Sequence, residues 1–300
     1  MKIAISAESS IDLDRSTLKR YDIRTVPFSI LLGNESGYDG EITTEQIIDY
    51  VATSKNLPKT GAVNVYAFEE HFKSLLNDYD AVIHFSLSGE VSSAYQNAET
   101  AAKSFKNVFV LNTRTISSGI GLLAVYAREL ANDGAMPEEI LKKCESRIEN
   151  ILATTIIARL DYLYKGGRCN ALQLFGANLL KLRVQITVKN GKLTPAKKYR
   201  GDMDSCVEKF VADVLETYNR PDLTRAFITA TTPTEKQIEI AKNLLLKRGF
   251  KEVIVTKAGA TVTSHVGENA IGVIYFNDGE PSSPAQQKQK SLLEKIKAHL

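Results

Sequence analysis

Residues 81–85 form an apolar run in which His84 is the single polar position, the length and texture of a strand buried on both faces. Residues 86–90 are small and polar, and Ser92 or Ser93 then opens a helix whose small positions continue through Ala98, Ala101 and Ala102. The succession repeats downstream as a strand at 108–111, a hydroxyl-rich loop at 112–119 and an apolar helix at 120–130. Upstream, the pattern predicts a strand at 2–6, a turn at 8–10, a short helix at 12–21 and a strand at 25–32, with Pro27 marking an edge or an irregular start. A polar loop at 33–40 follows. Thr43 with Gln46 three residues on is a capping-box signal for a helix to about residue 54. A loop at 57–64 leads into a helix at 65–77, where Val65, Phe68, Phe72, Leu75 and Leu76 keep helical spacing. Alternating strands and helices up to about residue 133 predict a layered, mainly parallel α/β domain.

Pro137 begins a further helix that runs to about residue 151, and the texture then changes. A strand at 153–158 is followed by a turn-rich segment at 161–168 and a helix at 172–182. Residues 184–189 alternate cleanly, and Asn190-Gly191 is a hairpin turn into a strand at 192–199. Helices at 204–218 and 234–248 and strands at 225–230, 252–256 and 270–276 complete the pattern. The expected architecture is a two-domain α/β fold. Residues 1–152 form the N-terminal mainly parallel α/β domain, and residues 153–280 a C-terminal α+β domain with a largely antiparallel sheet. Residues 281–300 form a linker and a short basic amphipathic helix, for which transient contact with a membrane surface is open.

Composition acts mostly by exclusion. The 300 residues are 43% hydrophobic and 24% charged, enough for two cores. A net charge of +3, dispersed along the chain, gives no footprint for nucleic acid. Cys144, Cys169 and Cys206 are far apart and odd in number, so neither a disulfide framework nor a structural zinc is expected, which suits a cytoplasmic protein. The first residues read as a strand, not a signal peptide, and no apolar run approaches the ~20 residues that span a bilayer.

The chemistry centres on the strand ends. A strand, a hydroxyl-rich loop and a helix start together make a place to hold an anion, because the helix start offers unpaired N–H groups and a partial positive charge. Ligands in such sheets sit beyond the carboxyl ends of the strands. Ser92 and Ser93 lie at one such end, Ser117 and Ser118 at another. As an alternative to binding, Ser92 as a helix cap needs no ligand. His84 reads as a packed core histidine, His71 as a solvated one and His299 as part of the tail. His265, in a Gly/Thr-rich loop at 259–267, is the histidine with a functional setting. Ser92 or Ser93 with His265 would make a serine esterase, although no third orienting group stands out. A small-anion or nucleotide sensor is a further reading, without a glycine-rich phosphate loop to support it. No metal-ligand cluster is present in the pattern.

The sequence resembles the DegV family of bacterial fatty-acid-binding proteins over about residues 3–278. Glu8-Ser-Ser-Ile-Asp-Leu13 is similar to the family's Asp-Ser-x-x-Asp-Leu, with Glu for the first Asp. Tyr38-Asp-Gly40 resembles its Tyr-x-Asp-Gly loop, one residue shorter. The run from Leu160 to Arg168 resembles Leu-x-x-Leu-x-x-Gly-Gly-Arg, and Ser264-His-Val-Gly267 the late His-x-Gly segment. The resemblance implies a fatty-acid carboxylate held by Thr60, Ser92 and His265. Gly61, Ser93, Ser117 and Ser118 are additional candidate positions beside them and in the second hydroxyl-rich loop. Gly61, Ser93 and Ala94 depart from the family pattern. The resemblance also implies that the protein is not itself an enzyme and needs no cofactor. It would present a long-chain fatty acid to a partner fatty acid kinase that makes an acyl phosphate for phospholipid synthesis, with Arg168 docking the kinase.

Elementary energetics agree with such a ligand. About fifteen methylenes at roughly 0.8 kcal/mol each offer ~12 kcal/mol before ordering costs. That calls for a deep apolar slot, expected between the two domains, for which Leu172, Leu174, Phe175 and the helix at 120–125 are candidate walls. The head group would be satisfied by hydroxyls, helix-start N–H groups and the His265 imidazole, because an unpaired buried carboxylate costs several kcal/mol.

Overall fold

The computed structural model describes residues 1–169, 171 and 182–279. The helix expected at 172–182, with Leu172, Leu174 and Phe175, lies outside them apart from Leu182, and so does the tail from 281.

Strands β1 (Ile3–Glu8), β2 (Ile23–Val26), β6 (Ala81–Ser86) and β7 (Val108–Asn112) form one sheet in the order β2-β1-β6-β7, parallel throughout. Every residue of β1 and β6 is buried. Their near-continuous apolar runs are what a strand covered on both faces requires. Helices α1 (Arg15–Arg20), α2 (Thr44–Ser54), α3 (Val65–Leu75), α4 (Ala94–Ala102), α5 (Ser118–Asn132) and α6 (Pro137–Glu145) belong to this part of the chain.

The second sheet has six strands in the order β10-β9-β8-β13-β11-β12. They are β8 (Ile151–Ile157), β9 (Arg183–Lys189), β10 (Lys192–Tyr199), β11 (Arg225–Ala230), β12 (Glu252–Lys257) and β13 (Ile271–Phe276). All its pairings are antiparallel except β11 with β12. Asn190 and Gly191 both have positive φ, the geometry of the two-residue turn that joins β9 to β10. At the edge, β10 carries Pro195 and a register shift before Lys198, features that discourage further strand pairing. Helices α8 (Met203–Thr217) and α9 (Glu235–Arg248) close a core with one face of this sheet through Phe210, Val211, Leu245 and their neighbours.

Helix α5 packs against β1 and β6 of the first sheet and against β8, β11 and β13 of the second. It is buried almost all round, as a helix between two sheets must be. Tyr126 meets Phe276 edge-on at 6.1 Å, and Glu129 pairs with Arg225 at 2.8 Å.

Several expectations change. The strand expected at 25–32 is two strands. Pro27, with no N–H to give, lies between β2 and β3 (Ser29–Leu32), where the chain leaves the parallel sheet. The loops expected at 33–40 and 57–64 contain β4 (Glu35–Tyr38) and β5 (Lys59–Gly61), which flank β3 in a small antiparallel sheet. The turn-rich segment at 161–168 opens with a helix, α7 (Leu160–Lys165), and the loop at 259–267 is a helix, α10 (Ala260–Val266).

Candidate functional site

The loop after β6, strand β5, helix α10 and the turn after α7 converge on an apolar chamber of about 290 Å³. Phe28, Ala62, Leu87, Val91 and Leu163 wall it, and Thr60, Ser92, Ser93, Arg168 and His265 border it. A narrower apolar slot of about 50 Å³ continues between the six-stranded sheet and the start of α5, and shares Ile116, Leu193, Val262 and Val266 with the chamber. On the outer side lies an open basin. It shares Thr60, Arg168 and His265 with the chamber and is further lined by Lys55, Lys59 and Lys165, with no carboxylate among its described residues.

Thr60 Oγ1 and His265 Nε2 are 2.9 Å apart. The other ring nitrogen, Nδ1, has no hydrogen-bond partner among the described residues and lies against Gly166. A Cβ at Gly166 would sit 2.9 Å from Nδ1 and 2.8 Å from the Tyr162 carbonyl oxygen, so this glycine lets the turn reach the imidazole. Burial pulls His265 down to about 4, and the Arg168 guanidinium adds to the shift, so the ring is neutral at pH 7. A neutral imidazole has one donor and one acceptor nitrogen, and a buried N–H is the costlier of the two to orphan. Nε2 is therefore assigned the proton, which it donates to Thr60 Oγ1. The threonine oxygen then accepts in this bond, and its own O–H stays able to donate.

The serine loop is braced from below. Ser92 Oγ accepts from the Ala94 N–H at 3.2 Å, while Ser93 occupies the cap position of α4 without a side-chain cap bond. Glu8, fully buried at the end of β1, accepts from Ser86 Oγ at 2.5 Å and from the Leu87 N–H at 2.9 Å. Burial alone would raise the Glu8 carboxyl, but His84 at 3.3 Å, Ser86 and Leu87 outweigh it and hold the group below its ordinary value. His84 Nδ1 is 3.0 Å from Ser6 Oγ, and that oxygen is 2.7 Å from His71 Nε2. His71 is therefore not a solvated histidine. Burial and its neighbour His84 draw it down to about 3. His84 is a core residue, as its strand position predicts.

Helix α10 displays Thr261, Val262, His265 and Val266 toward the chamber. Two carboxylates seat its first residues. Asp12 Oδ1 accepts from the Gly259 N–H at 2.7 Å and Asp39 Oδ1 from the Ala260 N–H at 2.9 Å. A second acceptor atom of Asp39 takes the Ser9 hydroxyl at 3.0 Å. Two stretches that carry the sequence resemblance, at 8–13 and 38–40, thus hold the helix that bears His265.

The remaining candidates sit elsewhere. Gly61 follows Thr60 on β5, and a Cβ there would lie 2.5 Å from Ser29 Oγ, so Ser29 fills the space a longer residue would need. Ser117 borders the inner slot and gives its hydroxyl to Asp12, and Ser118 is buried against the Thr229 hydroxyl. Arg168 is exposed between chamber and basin and donates to the Gly166 carbonyl at 2.7 Å. Ser10 and Thr261, which carry no motif of their own in the sequence, also border the chamber, with buried hydroxyl oxygens that have no hydrogen-bond partner among the described residues. Among the described residues no cluster of side chains could hold a metal ion, and no helix is long and apolar enough to cross a membrane.

Residues 2–278 match the model of a protein family described as "Uncharacterised protein, DegV family". A protein from Thermotoga maritima named fatty acid-binding protein is 30% identical over 279 residues, covering 91% of this chain and 96% of its own. Among solved structures, a DegV family protein from Thermus thermophilus, described for its fatty acid binding, superposes with a TM-score of 0.84 at 26% identity, covering 92% of this chain and 99% of its own. A structure from Thermotoga maritima, said to reveal fatty acid binding function, gives a TM-score of 0.80 at 29% identity, with coverage of 92% of this chain and 99% of its own.

Proposed function

The chain belongs to the DegV family, and on that footing we propose that it binds a long-chain free fatty acid between the domain at 1–152 and the domain at 153–280. The tail fills the apolar chamber and the inner slot, and the carboxylate lies at Thr60 and Ser92, with His265 behind Thr60. The observation that carries this reading is the Thr60–His265 hydrogen bond, which stands where an apolar chamber meets a basic basin. Neutral donors satisfy the carboxylate without clamping it, which suits a ligand that must react and leave.

The carboxylate is then presented to a separate fatty acid kinase in the cytoplasm, which forms an acyl phosphate for phospholipid synthesis. Lys55, Lys59, Lys165 and Arg168 ring the basin and favour both an incoming anion and a more highly charged product. The kinase docks around Arg168. The esterase alternative has less support, because His265 bonds Thr60 and, among the described residues, no carboxylate orients its Nδ1.

Extraction of the freshly purified protein followed by mass spectrometry is expected to release fatty acid, and titration of delipidated protein to restore binding. Absence of both overturns the reading. With a cognate kinase, Arg168→Glu is expected to keep lipid binding and lose acyl phosphate formation. Unchanged turnover removes the docking role alone.

A further inference from the structure

The inner slot is lined mostly by the six-stranded sheet, and the starts of two helices border the rest of it. Ile116 and Ser117 border it at the start of α5, and Ala258, Val262 and Val266 border it at and along α10. Asp12 joins these two helix starts. Its Oδ2 takes the Ser117 hydroxyl, and its Oδ1 takes the Gly259 N–H at 2.7 Å. The residue is 3% exposed and sits in the left-handed region at φ 53, which aspartate adopts more readily than most side chains. Little slack remains on the α10 side. A Cβ at Gly259 would stand 2.9 Å from one Asp39 oxygen and 3.4 Å from Asp12 Oδ1.

We propose that Asp12 is a positioning residue for acyl-chain selection, a strut between the starts of α5 and α10 that sets the gap of the inner slot and so limits the tail it accepts. This rests on the fatty-acid reading above. The slot is the narrow part of the path, about 50 Å³ against about 290 Å³ in the chamber, so a small change in the gap acts where the tail ends. Asp12 is not among the residues that line either space. Its effect passes through the two helices.

The test compares a series of saturated fatty acids of increasing length, by titration, on delipidated wild-type, Asp12→Ala, Asp12→Asn and Ser117→Ala proteins. Asparagine keeps an acceptor for Gly259 and can pair with Ser117, so Asp12→Asn is expected to keep the wild-type length profile. Asp12→Ala is expected to move the optimum to longer acids, with each added methylene worth about fourfold in affinity. Ser117→Ala cuts the strut at its milder end and is expected to move the optimum in the same direction, which keeps the test decisive if Asp12→Ala does not fold. A wild-type length profile in Ser117→Ala, or in a folded Asp12→Ala of lowered melting temperature, overturns the strut and leaves it a purely structural contact. Failure of the wild-type protein to bind any of the series overturns the fatty-acid reading itself.

Discussion

Thr60 and His265 are 205 residues apart in the chain and 2.9 Å apart in space, and their hydrogen bond separates an apolar interior from a basic exterior. With the proton on Nε2, the imidazole donates to the threonine oxygen and so fixes the direction of its hydroxyl.

The two residues should therefore act as a unit. Thr60→Val is expected to weaken fatty-acid binding about 10- to 100-fold, the worth of one hydrogen bond to a charged group. His265→Ala is expected to cost less alone and to add little to Thr60→Val. Calorimetric titration of both single variants and the double variant checks this, since coupled partners depart from additivity.

Gly166→Ala places a Cβ 2.9 Å from His265 Nδ1 and 2.8 Å from a backbone oxygen. The expected loss of stability is about 1–3 kcal/mol, the usual range for overpacking, with weaker ligand binding as the ring is displaced. Denaturant unfolding and ligand titration on the same sample report both effects.

Acid should destabilise the protein early. His265 and His71 are held at about 4 and about 3, below the ordinary 6.5. As pH falls the unfolded chain takes up these protons before the folded one, so stability from both groups is full above about 6.5 and declines as pH falls toward their folded values. Denaturant unfolding at pH 7, 6, 5 and 4 is expected to show this decline, and His265→Gln should lessen it relative to wild type. Equal pH dependence in the two proteins contradicts the assignment.

Glu8→Ala removes the partner of Ser86, of the Leu87 N–H and of His84, all buried. A loss of about 1–3 kcal/mol is expected, the cost of leaving buried donors without their acceptor. Urea unfolding of wild type and variant measures it.

The sequence was most legible where local pattern decides structure. The alternation at 184–189, the Asn190-Gly191 turn and the strand pattern at 225–230 correspond to β9, its hairpin and β11. It was least legible where the partner is distant. Helix α10 is rich in threonine and lies between two glycines, a poor local case for a helix, and the carboxylates at its start come from Asp12 and Asp39. Strands β4 and β5 are short and polar and exist by pairing with β3. His71 shows an exposed pattern in sequence because its partner, Ser6, arrives from β1. The serine loop and His265 stood out as chemistry. The Glu8–His84 pair beneath that loop did not, since a buried acid and a buried histidine have no spacing signature when they come from separate strands.

Helix α5 is the packing partner of both sheets. Neither sheet covers its inner face without it, so stress that dislodges this one helix bares apolar surface on the two halves together. The expected melt is accordingly a single coupled transition for the whole chain, in which a weakness introduced in either half is felt by the other.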